Sequence, residues 1–234
     1  KESSFLSGLI QLNTSLPMFK DNKKYKQILN PKFALKISPD HTKNNRKEDN
    51  KIDTNNIFSF DRNSGKDYIE GGLSFTYGSE YAILNKKNSL DIFNFKIANN
   101  LRLSENDDLP RNSQIDEQVS SIFNEITFQP NNILKLNYNS SIKNNFDKIN
   151  YENITAELKI NNLITSFDYS NENDLTNNSY LSNKTRFNLD ESNSLSFKTR
   201  RNKKINLTEY YALAYQYEND CLAASVEYNK EFYA

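Results

Sequence analysis

A two-residue alternation of apolar and polar side chains recurs along nearly the whole chain and constrains its fold more than any other feature. In "NITAELKIN" the apolar set is Ile154, Ala156, Leu158 and Ile160, while Thr155, Glu157 and Lys159 occupy the other parity. The same period sets Leu134, Leu136 and Tyr138 against Lys135, Asn137 and Asn139, and Leu73, Phe75, Tyr77, Tyr81 and Ile83 against Ser74, Thr76 and Glu80. Near the end, Tyr211, Leu213, Tyr215 and Tyr217 form one face, and Leu222, Ala224, Val226, Tyr228 and Phe232 another. Side chains on a strand alternate between faces, so this period predicts an all-β chain. About twelve antiparallel strands are expected, near 5–17, 25–38, 69–84, 89–104, 117–129, 132–143, 151–161, 163–171, 179–190, 193–201, 206–218 and 221–233.

Composition narrows the class. Of 234 residues, 30 are basic and 30 acidic, a balance that argues against a nucleic-acid partner held by phosphate neutralisation. Hydrophobic residues reach only 36%, which is polar for a packed core, yet the 12% of aromatics, all Phe and Tyr, is too aromatic for disorder. One cysteine, Cys221, makes no disulfide within the chain, and one histidine, His41, builds neither a metal site nor a catalytic triad with it. No apolar run is long enough for a transmembrane helix. The chain opens on lysine with nothing like a signal peptide near it, and is expected to be a piece of something longer.

Two regularities favour a membrane barrel over a soluble sandwich. Charges within strands, such as Glu80, Lys135, Glu157, Lys184, Arg186, Lys198 and Arg200, sit on the parity opposite the apolar residues; Asp91, Glu209 and Lys230 are exceptions toward strand ends. A lipid-facing Lys or Arg at the bilayer midplane costs about 2–4 kcal/mol, falling to roughly 0–1 at the interfaces, so lipid selects this distribution. A half-buried soluble sheet shares the parity, and the connections discriminate better. Every second one is expected to be the shorter, with the longest at 39–68, as in an outer-membrane barrel with short periplasmic turns and longer extracellular loops. Greek-key sandwiches have no reason to alternate. Tyr77, Tyr81, Tyr210, Tyr211, Tyr217, Tyr228, Phe232 and Tyr233 are candidates for aromatic girdles, or are simply strand formers.

Within the longest connection, "DTNNIFSFDRNSGKDYIEGG" concentrates charge, aromatics and glycine. Asp53, Asp61, Arg62, Asp67 and Glu70 are candidates for a salt-bridged cluster, Phe58 and Phe60 for anchors against a wall, Gly65 for a turn, and Gly71 with Gly72 for a bulge or close backbone approach. The stretch resembles the loop of the LPS-assembly outer-membrane family LptD, also called OstA or Imp, in its alphaproteobacterial form: D-x-x-N-(L/I)-F-S-x-x-R-x-x-G-x-D-R-x-E-G-G leading into a strand. Asp53, Asn56, Ile57, Phe58, Ser59, Arg62, Gly65, Asp67, Glu70, Gly71 and Gly72 match; Asn63 and Tyr68 depart where an aromatic and a second arginine are common. "ILNPKFALKISP" and "YQYENDCLAASVEYNKEFY" resemble the family's strand before the loop and its closing region.

The resemblance implies that residues 1–234 are the later, C-terminal part of a transmembrane β-barrel in the outer membrane of a Gram-negative envelope, without the family's N-terminal periplasmic jellyroll. It implies lipopolysaccharide as cargo, membrane lipids around the barrel, a plug-like lipoprotein (LptE type) inside it, and periplasmic LPS bridge proteins reached through the jellyroll. Cargo is expected to leave through a lateral opening between first and last strands, with the 53–72 loop acting as lid, lumen plug or folding clamp. Cys221 matches a cysteine that pairs with one near the family's N-terminus, and its turn falls on the oxidising periplasmic side. No enzyme, metal or cofactor is expected, because phosphate loops, metal-ligand spacings and nucleophile elbows are missing from the sequence. A general porin or receptor barrel, and a soluble β-rich adhesin or carbohydrate-binding module, are the alternatives.

Overall fold

A computed structural model describes residues 8–39, 43–62, 69–173 and 177–232. Thirteen strands form one antiparallel sheet: β1 (Ile10–Ser15), β2 (Met18–Asp21), β3 (Tyr25–Ser38), β4 (Gly72–Asn85), β5 (Leu90–Arg102), β6 (Ile122–Phe128), β7 (Leu134–Ile142), β8 (Ile149–Ile160), β9 (Leu163–Glu172), β10 (Asn178–Asn188), β11 (Asn193–Asn202), β12 (Leu207–Glu218) and β13 (Ala223–Glu231). From β3 onward neighbours in sequence are neighbours in the sheet, the meander that the alternation predicts. The only helical element among the described residues is a short 3-10 turn, Arg111–Ser113.

The predicted strand 5–17 is β1, with 5–7 outside the described residues, and the expected connection 18–24 opens instead with a further strand, β2. Both pair with β3 on one register: Ser15 faces Lys32 and Met18 faces Leu29. Pro17 lies at the break, where its missing N–H removes a ladder bond, a loss tolerated on an edge strand. The predicted strand 117–129 begins only at Ile122, because the residues before it make no continuous ladder, only an isolated Leu101–Val119 bridge. Connection length alternates as expected over most of the sheet, with 39–71, 103–121 and 143–148 longer than the intervening 86–89, 129–133 and 161–162. The alternation is lost only in the last three, 189–192, 203–206 and 219–222, which are equal in length.

The chain divides into two compact units, the first Lys1–Ser89, Asn94–Glu125 and Ser140–Asn150, the second Leu90–Phe93, Ile126–Asn139 and Tyr151–Ala234. In the first, cross-strand rows such as Ile10–Ile37–Leu73 and Leu12–Leu35–Phe75 put large apolar side chains on an exposed face, Ile10 at 73%. Phe33 stacks on Phe75 and Phe75 on Tyr77 there. The opposite face is polar and buried: Lys36, Ser74, Thr76, Asn100 and Arg102. In the second, the row Ile160–Leu163–Phe187–Leu195–Tyr215–Val226 is likewise apolar and exposed, Val226 at 76%. Water does not support contiguous apolar rows of this extent on a monomer, and they are the surface that a bilayer solvates.

Two details of the second unit refine the sequence reading. Tyr211 belongs to the apolar face, stacked on Phe197 and edge-on to Phe232, but Tyr210 pairs with Arg200 on the polar face and is no girdle residue. Glu209 breaks the parity rule because a β-bulge opposite Arg200/Arg201 makes it the extra residue, and its carboxylate turns to Arg200 at 3.0 Å. Tyr233 lies outside the described residues.

Gly78 on β4 lies tight against β5: a Cβ there would clash with the Ile97 carbonyl oxygen and press on Ala98. Gly78→Ala is expected to cost about 1–3 kcal/mol through overpacking. A lower unfolding midpoint of the full-length protein, read from its heat-modifiable gel migration, checks this.

Candidate functional site

The 39–71 connection folds back over the polar face of β3, β4 and β5. Its local order begins with a reciprocal cap. The Asp53 carboxylate accepts from the backbone N–H of Asn55 (2.7 Å) and Asn56 (3.1 Å), while the Asn56 side chain accepts from Asp53 N–H at 2.9 Å and donates to the Lys51 carbonyl at 2.9 Å. This is the local side-chain to backbone bonding that Asx residues offer. The turn delivers Ile57 into a small apolar cluster with Ile52, Ala98, Leu109, Ile115 and Phe123, against which Phe58 packs. Leu109 and Ile115 come from the 103–121 connection, so the two long connections share one core on the polar face. Polar bonds reinforce it: Asn45 N–H to the Asp108 carbonyl at 2.9 Å, Asn44 to Asp108 at 2.8 Å, Arg46 to Asp107 at 2.9 Å and Thr54 to Glu125 at 2.8 Å.

Five residues further along, Arg62 is 2% exposed and grips Glu70 with both arms, Nε to Oε2 at 2.7 Å and Nη2 to Oε1 at 2.6 Å. Its remaining donors reach Thr76 (2.9 Å), Asn100 (3.0 Å), Ser74 (3.1 Å) and the Ile57 carbonyl (3.2 Å). Glu70 also accepts from Arg102 and, at 3.4 Å, from Lys36, while Lys36 donates to the Phe60 carbonyl at 3.1 Å. Arg102 donates in addition to the Gly71 carbonyl. One carboxylate is thus gripped by three cations, two of them on strands, and burial without that match is prohibitive. Burial pushes the Glu70 carboxyl up, but the charge and hydrogen bonds of Arg62, with Lys36 and Arg102, outweigh it and hold the group well below the usual carboxylate range. At the exit Gly72 takes φ 90°, open to glycine at no steric cost, and its N–H meets the Pro39 carbonyl at 3.3 Å, closing the connection on itself.

Of the residues singled out in the sequence, Arg62, Glu70, Gly71 and Gly72 meet at the fastening, Asp53 and Asn56 form the cap instead of joining the ion cluster, and Phe58 packs. The Phe60 ring is 57% exposed and anchors nothing; only its carbonyl is used. Gly65 and Asp67, like His41, lie outside the described residues. Cys221 is exposed and unpaired in the turn after β12, where its N–H donates to Asn219 at 3.0 Å. Sequence reasoning missed Lys36, Asn100 and Arg102, whose register opposite the loop was not visible, and the aliphatic residues Ile52, Leu109 and Ile115. The last three did leave a sign, since a solvated connection has no use for them.

A long meander with an apolar exposed face, a polar inner face and two connections packed over it defines an outer-membrane β-barrel protein. The family model described as LptD, LPS transport system D, matches residues 1–221, and the chain belongs to that family. It is an outer-membrane component of lipopolysaccharide transport and assembly. A search of curated proteins finds no match.

Removing one partner of a buried ion pair typically costs about 3–5 kcal/mol. Arg62→Ala in the full-length protein is therefore expected to raise hydrogen exchange of the 43–62 amides on the order of a hundredfold or more. Because the Glu70 pKa is depressed on folding, its contribution is complete above the unfolded value of about 4.3 and lost as pH falls toward the lower folded value. Protection of those amides, corrected for intrinsic rates, should be flat from about pH 7 to 5 and decline only below about pH 4.

Proposed function

We propose that, within lipopolysaccharide transport, the 39–71 connection is a fixed cap over the polar inner wall and a folding clamp for β3–β5, not a lid that swings with each cargo molecule. The burial of Arg62 at 2%, with Glu70 held in both its arms, carries this reading. Swinging the loop away would strip Lys36 and Arg102 of the carboxylate they share. On this reading residues 1–234 form the later part of the barrel domain, the inner wall faces the hydrated sugar of the cargo, and a plug-like lipoprotein of the translocon seats inside the barrel. Periplasmic bridge proteins hand over cargo through the family's jellyroll domain, and Cys221 pairs with a cysteine of that domain. The protein transports and has no catalytic role.

Asn44 and Asp108 join the two long connections by a 2.8 Å bond between side chains and offer a direct test. With both replaced by cysteine and bridged by a short bis-maleimide in cells, a fixed cap leaves surface lipopolysaccharide unchanged, and loss of surface lipopolysaccharide on bridging would contradict it. A porin, by contrast, would give a steady open pore in a planar bilayer.

A further inference from the structure

The polar face of β9–β12 carries a charge arrangement that the fold does not explain. Lys184 on β10 lies directly opposite Lys198 on β11. Directly opposed side chains have Cβ atoms about 4.5–5.5 Å apart, and like charges there are destabilising. Within the row Lys184 faces Ser166 on β9 and Lys198 faces Ala212 on β12, and the next carboxylate along it, Glu157 on β8 beyond Ser166, is paired with Lys159 at 3.2 Å. Arg186 follows two residues along β10 on the same face, opposite Ser196, and its Nε donates to neutral Asn188 at 3.0 Å.

The carboxylates around them are engaged elsewhere. Asp168 accepts from Thr155 at 2.8 Å and Asn153 at 3.2 Å, and Glu209 is taken by Arg200, whose guanidinium also lies 3.8 Å from the Tyr180 ring. Glu227 on β13 faces Ala214 on β12, and β12 lies between it and the basic pair. Among the described residues neither lysine makes an ion pair. Three adjacent cations on one wall, with small neutral neighbours leaving room above the pair, match a multiply charged anion.

We propose that Lys184, Lys198 and Arg186 form a subsite on the inner wall for the anionic groups, phosphate or carboxylate, of the saccharide part of the cargo. Two lysines act there as point charges and the arginine as a planar fork, a set suited to a phosphorylated or acidic sugar that slides past and is not held tightly. The subsite rests on the lipopolysaccharide-transport reading.

A photoreactive p-benzoylphenylalanine at Ser166, the neighbour of Lys184, tests it in the full-length protein in cells. Irradiation should give a lipopolysaccharide adduct that falls about tenfold in the Lys184→Gln, Lys198→Gln double variant and returns with arginine at both positions. An adduct that ignores the charge change overturns the subsite. So does the absence of an adduct while excess inorganic phosphate protects the lysines of the purified protein from acylation, which would mark a site for the free ion. Surface lipopolysaccharide measured after depletion in the same cells keeps the two readings apart. If depletion strips the surface and the adduct is insensitive to charge, only the subsite fails; if depletion leaves the surface unchanged, the transport reading itself fails.

Discussion

The first unit depends on a single carboxylate. Glu70 is buried where the long connection re-enters the sheet, and it is stable there because Arg62 from the loop and Lys36 and Arg102 from β3 and β5 all reach it. Without Glu70 the wall would hold three cations in a desolvated space, and without the loop the strand cations would face one another across β4. The loop and the inner wall are therefore one electrostatic object, and the apolar cluster around Ile57 and Phe123 adds a second, non-directional attachment to the same surface.

The arrangement inverts the rule for proteins in water. Buried side chains are largely Ser, Thr, Asn and paired charges, while the large apolar residues stand exposed in cross-strand rows. A bilayer around the sheet reconciles this with the backbone's need for partners, since strand pairing satisfies donors and acceptors that lipid cannot. The low hydrophobic fraction of 36% then has a plain cause, because only one face of each strand needs to be apolar.

Much of this was legible in the sequence. Strict two-residue periodicity placed the strands to within a few residues, and separated Ser74 from Leu73 and Thr76 from Phe75 before any partner was known. The loop's residue order pointed to the family. What periodicity does not encode is register and exception. Neither the Lys36–Glu70–Arg102 convergence nor the opposition of Lys184 to Lys198 is readable until β3–β4–β5 and β10–β11 are aligned. Glu209 looked misplaced because a bulge shifts parity by one residue without a glycine or proline to announce it. Phe60 looked like an anchor because its neighbour Phe58 is one, but residues two apart in a loop need not share a side.

A cap that does not move keeps a constant distance to the turns of the sheet beneath it. Spin labels at Asp61, on the exposed side of the loop, and Lys87, in the turn at the far end of β4, would be read by pulsed electron resonance in the full-length protein with and without lipopolysaccharide. A fixed cap predicts one narrow distance distribution that cargo leaves unchanged. A second, longer population that grows when lipopolysaccharide is added would contradict it.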